Sequence, residues 1–127
     1  MLYLLIFIGG GLAGWAVDTA YRSVDEKRFA SATFIPFFSP TYGFASAMLF
    51  WLFFFWPASW VAHVLVGALL CTLVELVTGV LSVRFLHRRF WDYRGNWLNY
   101  HGHIDLFHFA CWLGLAACYR IIFELLI

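Results

Sequence analysis

Charge is what this sequence has least of. Asp, Glu, Lys and Arg together make up 12% of its 127 residues, about half the share of an average soluble domain. So little charge argues against a soluble monomer, and a disordered tail would carry more charge and less apolar content. The eight Lys and Arg nearly balance the seven Asp and Glu, leaving a net charge of +1. Nucleic acid is therefore not expected as a partner, because phosphates are met by a basic face. Cysteine is scarce too. Cys71, Cys111 and Cys118 are odd in number and include no CxxC pair, which excludes a disulfide framework and a thiolate zinc site. No phosphate-binding GxxxxGK[ST] loop occurs, so the chain is not itself an ATPase. No Lys or Arg precedes Arg22, so the first apolar run lacks the basic start of a cleaved signal peptide and reads as an uncleaved helix.

Apolar residues are abundant. They make up 64% of the chain, and the mean hydropathy is +0.82. A membrane-crossing helix needs about 20 mostly apolar residues. Four stretches qualify as spans: 2–21, 41–56, 60–86 and 105–127. The second is short, and the apolar residues of 34–38 would add to its length. The expected fold is an all-α integral membrane four-helix bundle, a single transmembrane domain over 1–127.

Orientation follows from the cations. Arg22, Lys27 and Arg28 lie in the first loop, and Arg84, Arg88, Arg89 and Arg94 lie in or beside the third. The turn at 56–60 has none. Cytoplasmic loops carry the excess of Lys and Arg, so both basic loops are expected in the cytoplasm and both termini outside. Arg120 is the cation left near the other side, with Glu124 one helical turn on as a partner. Trp51, Trp56 and Trp60 around the outer turn, and Trp91, Tyr93, Trp97 and Tyr100 in the inner loop, read as an interfacial aromatic belt.

Polar residues inside the spans are the candidate chemistry. On the first, Gly10, Gly14 and Asp18 share a face that lets a partner helix approach closely. Asp18 is near the cytoplasmic end, with Arg22 at i+4. On the third, Thr72, Glu75, Thr78, Gly79 and Ser82 form a stripe at helical steps. Lipid cannot solvate this stripe, so it points inward. Glu75 falls roughly 16 Å from Leu86, close to the bilayer midplane. A carboxylate there implies a partner, a wet pocket or a protonated acid. Two readings stay open for it: a structural hydrogen bond or a functional site. The fourth span opens with His101, His103, Asp105 and His108. Asp105 and His108, at i and i+3, can face one site, and imidazole with carboxylate suits a divalent metal. Against that, Asp105 reads as an ordinary residue at a helix N-terminus, and HxHxD metal motifs belong to larger soluble folds.

Ordered short motifs run through nearly the whole chain. Gly14, Trp15 and Asp18 end the first span, with Tyr21 and Ser23 following. Pro36, Pro40, Tyr42 and Gly43 lead into the second. Glu75 with Thr78 marks the third, Trp91-Asp92-Tyr93 the loop, and Asn99, Gly102, Ile104 and Leu106 the approach to the fourth. This order resembles the ABC-transporter type IV permease family, also called CmpB-like. The sequence departs from the family at Asp18 (usually Glu), His103 (usually Arg), Asp105 (usually small) and in the Pro36 to Pro40 spacing. His103 and Asp105 therefore inherit no family role.

The resemblance implies a transporter-like or permease-like component of a membrane, expected to be the bacterial inner membrane. Asp18 and Glu75 would form a polar site for a cation, proton or small solute, lined by Tyr42, Ser46 and Thr78. Four spans imply a homo-oligomer or membership of a larger membrane complex. Two other readings stand beside it. One is a structural or assembly subunit. The other is an intramembrane enzyme with a divalent metal on His103, Asp105 and His108. No other cofactor is expected, and an enzyme is the less favoured class.

Overall fold

A computed structural model describes residues 1–127. The chain is all-α, with four helices: α1 (Leu2–Asp25), α2 (Pro40–Phe55), α3 (Trp60–Leu86) and α4 (Leu106–Leu126). β-structure is limited to two isolated bridges, Ile35 with Phe38 and Tyr100 with Ile104. α1, α3 and α4 are long and apolar enough to cross a membrane, and α2 is a shorter apolar helix of 16 residues. Residues 34–38 add apolar surface to α2 but no helix. They form a turn in which the Phe38 N–H donates to Ile35 O, with Phe37 in the left-handed region at φ 62°. Pro36 and Pro40 explain this, since each removes an amide donor and biases the residue before it away from the helix.

Local chemistry sets the helix ends. α1 outruns its apolar stretch by a turn, to Asp25. Arg22 supports that extra turn by pairing with Asp18 at 2.8 Å and by placing a cation near the negative end of the helix dipole. Pro40 opens α2 at the position where a missing N–H costs nothing. Ser59 caps α3 by accepting the Ala62 N–H, and His87 closes it in the left-handed region at φ 52°. Asp105 caps α4 by accepting the His108 N–H at 2.7 Å.

The chain divides into two compact units, Met1–Ala47 and Met48–Ile127. In the first, α1 presents glycines to the residues that start α2. A Cβ on Gly10 would lie 2.0 Å from Ser46 Oγ, and one on Gly14 would lie 2.2 Å from Tyr42 Cβ. Phe38 fills the space beside Gly11, and the loop is tied by Trp15 Nε1 donating to Ser31 Oγ.

In the second unit α3 and α4 run antiparallel. The contacts Gly67 with Ala116, Glu75 with Trp112 and His63 with Arg120 progress in opposite directions along the two helices. Ala68 and Cys71 of α3, Ala116 of α4 and Leu49 of α2, which lies against Gly67, are fully or almost fully buried. Leu65, Leu69, Leu73 and Val77, spaced by four on α3, are exposed instead. Small and polar residues inside with large aliphatics outside is the arrangement that lipid imposes, because lipid tails solvate Leu as well as a protein core does.

The glycine contacts on α1 are specific enough to test. Gly14→Ala forces a methyl into the base of Tyr42 and should cost about 1–3 kcal/mol. Gly9→Ala points into open space and should be neutral or slightly stabilising through helix propensity. Thermal melting of the two detergent-solubilised variants compares them directly.

Candidate functional site

The site is centred on the carboxylate of α3. Glu75 is 6% exposed, and both of its oxygens accept hydrogen bonds. Tyr93 Oη donates to Oε1 at 2.9 Å, and Trp112 Nε1 donates to Oε2 at 3.0 Å. Trp112 comes from α4, the helix packed against α3. Tyr93 comes from the loop after α3, so this loop has to travel back along the helix by about three turns, roughly 16 Å, to reach Glu75.

The loop manages this by satisfying its own backbone, which a segment folded against apolar helices must do. Tyr93 N donates to Gly102 O at 2.9 Å, Tyr100 N to Ile104 O at 2.9 Å and His103 N to Tyr100 O at 3.0 Å. The Asn99 side chain donates to Asn96 O and accepts from Gly102 N. Trp91 Nε1 donates to His103 O, and Arg89 donates to His101 O. Two glycines make room. Gly79 leaves the space on α3 where the His103 ring lies, since a Cβ there would be 2.7 Å from Nδ1. Gly102, at φ 74°, turns the chain where a side chain would strike Arg94 and Asp92.

A second set of contacts fixes Tyr93. Its ring stacks on His108 with centroids 3.7 Å apart and planes 7° from parallel. His108 Nδ1 lies 2.7 Å from Asp105 Oδ1, and Asn96 Nδ2 donates to Asp105 Oδ2 at 2.5 Å. Burial alone would raise the Asp105 pKa. The hydrogen bonds from Asn96 and His108 outweigh burial and hold it below the ordinary 3.8. On the outer side of the loop, Arg94 hydrogen-bonds Asp92 and brings its pKa down to about 2. Burial, followed by the nearby charge of Arg89, pushes His103 below 6.5.

The residues named from the sequence are distributed as follows. Glu75 and Thr78 belong to the second unit, and Asp18, Tyr42 and Ser46 to the first. Asp18 is ion-paired with Arg22. Ser46 Oγ donates to Tyr42 O, and Thr78 Oγ1 to Val74 O. Thr72 and Ser82 likewise bond back to carbonyls of α3. The polar stripe is therefore partly self-satisfied. His103, Asp105 and His108 do not gather as metal ligands. Asp105 and His108 bond to each other while Gly102 carries His103 away to Gly79, and no group of three His, Cys, Asp or Glu side chains is placed to hold a metal. Two residues that sequence reasoning missed as site members are Tyr93 and Trp112. Trp112 lies at i+4 from His108 and i+7 from Asp105, so its position on their face of α4 was the available signal.

At the opposite end of the same unit, Arg120 pairs with Glu124 at 3.0 Å, as the i,i+4 spacing predicts. Its Nε also donates to His63 Nδ1 at 3.0 Å, and His63 Nε2 faces Trp56 O at 2.8 Å. Arginine can only donate, so Nδ1 of His63 accepts and Nε2 carries the hydrogen.

The family model described as Putative ABC-transporter type IV matches residues 5–127. No curated protein and no solved structure matches the chain.

The depressed pKa of His103 yields a pH prediction. Above pH 6.5 the ring is neutral folded or unfolded. Below 6.5 the unfolded chain takes up a proton that the folded loop resists, so stability falls as pH drops from 6.5 towards the folded pKa. Asp105 adds a loss of its own only below 3.8. His103→Gln should flatten the upper slope and leave the lower one, as read from melting temperature against pH.

Proposed function

The chain belongs to the ABC-transporter type IV family matched over residues 5–127, and on that premise we propose that it is a transport component whose working group is Glu75. Its apolar helices and family make it an integral membrane protein, with the bacterial inner membrane as its proposed location. The observation that carries the proposal is the two-donor cradle of Glu75. Tyr93 Oη and Trp112 Nε1 aim at the carboxylate from two different segments, and neither donor is charged. A carboxylate held by neutral donors is oriented and ready to exchange a proton or a small cation. Thr78 sits one turn along α3 as the nearest polar companion of the stripe. Asp18, paired with Arg22, is assigned a structural charge pair. Tyr42 and Ser46 belong to the packing of α1 on α2.

An assembly subunit is the second reading, and one feature favours it. Ala110, Gly114 and Cys118 form an exposed small-residue face on α4, and no neighbour lies within 4 Å of where a Gly114 Cβ would stand. Faces of this kind pair helices in lipid, which suits a second copy or a larger complex.

Glu75→Gln separates the two. The amide oxygen can accept from Trp112 while the amide nitrogen donates to Tyr93 Oη, so the fold should survive. Proton-driven or sodium-driven flux in liposomes, followed with a pH-sensitive or sodium-sensitive dye, should be lost because the amide neither titrates nor carries charge. Full flux from a well-folded Glu75→Gln protein removes Glu75 from the mechanism. Glu75→Leu should lower the melting temperature as well, by leaving both donors unpaired.

The proposed topology has both termini outside, which requires α2 to cross. Cysteines placed at Ser31 and Asn96 should then label only from the cytoplasmic side, and external labelling would reverse the assignment.

A further inference from the structure

We propose that residues 91–104 form a gate over Glu75, with Tyr93 as its catch and the Asp105–His108 pair as the positioning element that holds the catch. The proposal rests on the reading of Glu75 as the working acid. Its basis is a chain of contacts that leaves the loop at Asn96, returns to it at Tyr93 and ends on Glu75 of α3. Asn96 holds Asp105, Asp105 holds His108, His108 stacks on the Tyr93 ring, and Tyr93 Oη donates to Glu75. Every link is within or between the loop, α3 and the first turn of α4.

Three further observations mark the loop as a separable element. Its middle packs on little, with Trp97 74% and Leu98 63% exposed. It is held instead at a few buried anchors: Tyr93, Gly102, His103 and Asp105. Segments held by few buried contacts open locally at lower cost than the helices beside them. Its backbone is also strained, because Leu98 and His101 both bear a Cβ in the left-handed region, at φ 50° and 49°. Opening the loop relieves that strain and exposes Glu75. Finally, Oε1, the oxygen that accepts from Tyr93, is one of the two oxygens that a proton or cation would engage. An occupant at Oε1 weakens the charge that Tyr93 donates to, and the charged carboxylate favours the closed gate.

Amide hydrogen exchange on the full-length protein in detergent reads the gate without any flux. The amides of Tyr93, Tyr100 and His103 are bonded inside the loop and report its opening. Tyr93→Phe keeps the stack and removes one oxygen, and His108→Ala removes the stack and keeps the oxygen. Each should speed loop exchange by roughly tenfold or more, the scale of one hydrogen bond to a charged group, while amides of α3 and α4 stay as protected as in the wild type. Glu75→Gln should speed it severalfold by removing the charge. Trp97→Ala should leave it unchanged. Loop exchange within about twofold of wild type in Tyr93→Phe would overturn the gate. So would a rise spread equally over both helices, which would make Tyr93 a global packing residue. Wild-type protection in Glu75→Gln would overturn the link between occupancy and opening. Loss of the transport reading shows separately, as retained flux in Glu75→Gln, and leaves the exchange result to decide the gate.

Discussion

A carboxylate placed far from either end of an apolar helix governs the second unit. Transferring a polar group out of water without a hydrogen bond costs several kcal/mol, and a charged one costs more. Glu75 therefore demands donors, and the surrounding chain is arranged to supply them. α4 must run close enough to α3 for Trp112 to reach, which Gly67 and Ala116 allow. The following loop must fold back along the helix rather than run straight across, which needs Gly79 to be bare and Gly102 to turn. The loop in turn must satisfy its own amides, which Asn99 and the bridge between Tyr100 and Ile104 accomplish.

The first unit solves an easier problem. The acid within its apolar stretch, Asp18, meets its cation on the same helix one turn away, so nothing beyond the helix is required to pair it. The glycines of α1 act through shape: Tyr42 and Ser46 occupy the volume that side chains would have taken. Close approach of backbones is the main source of helix association where no water is left to expel.

Patterns with a short period were legible in the sequence. Helices show as apolar runs, the Asp18–Arg22 and Arg120–Glu124 pairs show as i,i+4 spacings, and Glu75 stands out because almost nothing else near it is charged. Asp105 as a cap was also readable from its place before an apolar run. The partners of Glu75 were not. Tyr93 lies 18 residues away in a loop whose aromatics resemble any interfacial belt, and Trp112 looks like any tryptophan of an apolar helix. The role of Tyr93 depends on a backbone reversal set by left-handed residues, His87 and His101 among them, that no periodicity announces. The hydroxyls also have a local role. Ser46, Thr72, Thr78 and Ser82 all spend their protons on carbonyls of their own helices, an outlet always within reach of a helical Ser or Thr.

The 16 residues of α2 also fix a length scale. They rise about 24 Å, some 6 Å less than a typical hydrocarbon core, whereas the 27 residues of α3 rise about 40 Å. The two helices thus err in opposite directions. With α2 crossing as in the proposed topology, a thicker bilayer has to pinch inward around α2 while it lets α3 stand more upright, and a thinner one relaxes α2 while it tilts α3, each at a fraction of a kcal/mol per ångström. Acyl-chain length is therefore a mechanical load on this protein, applied with opposite sign to two of its helices.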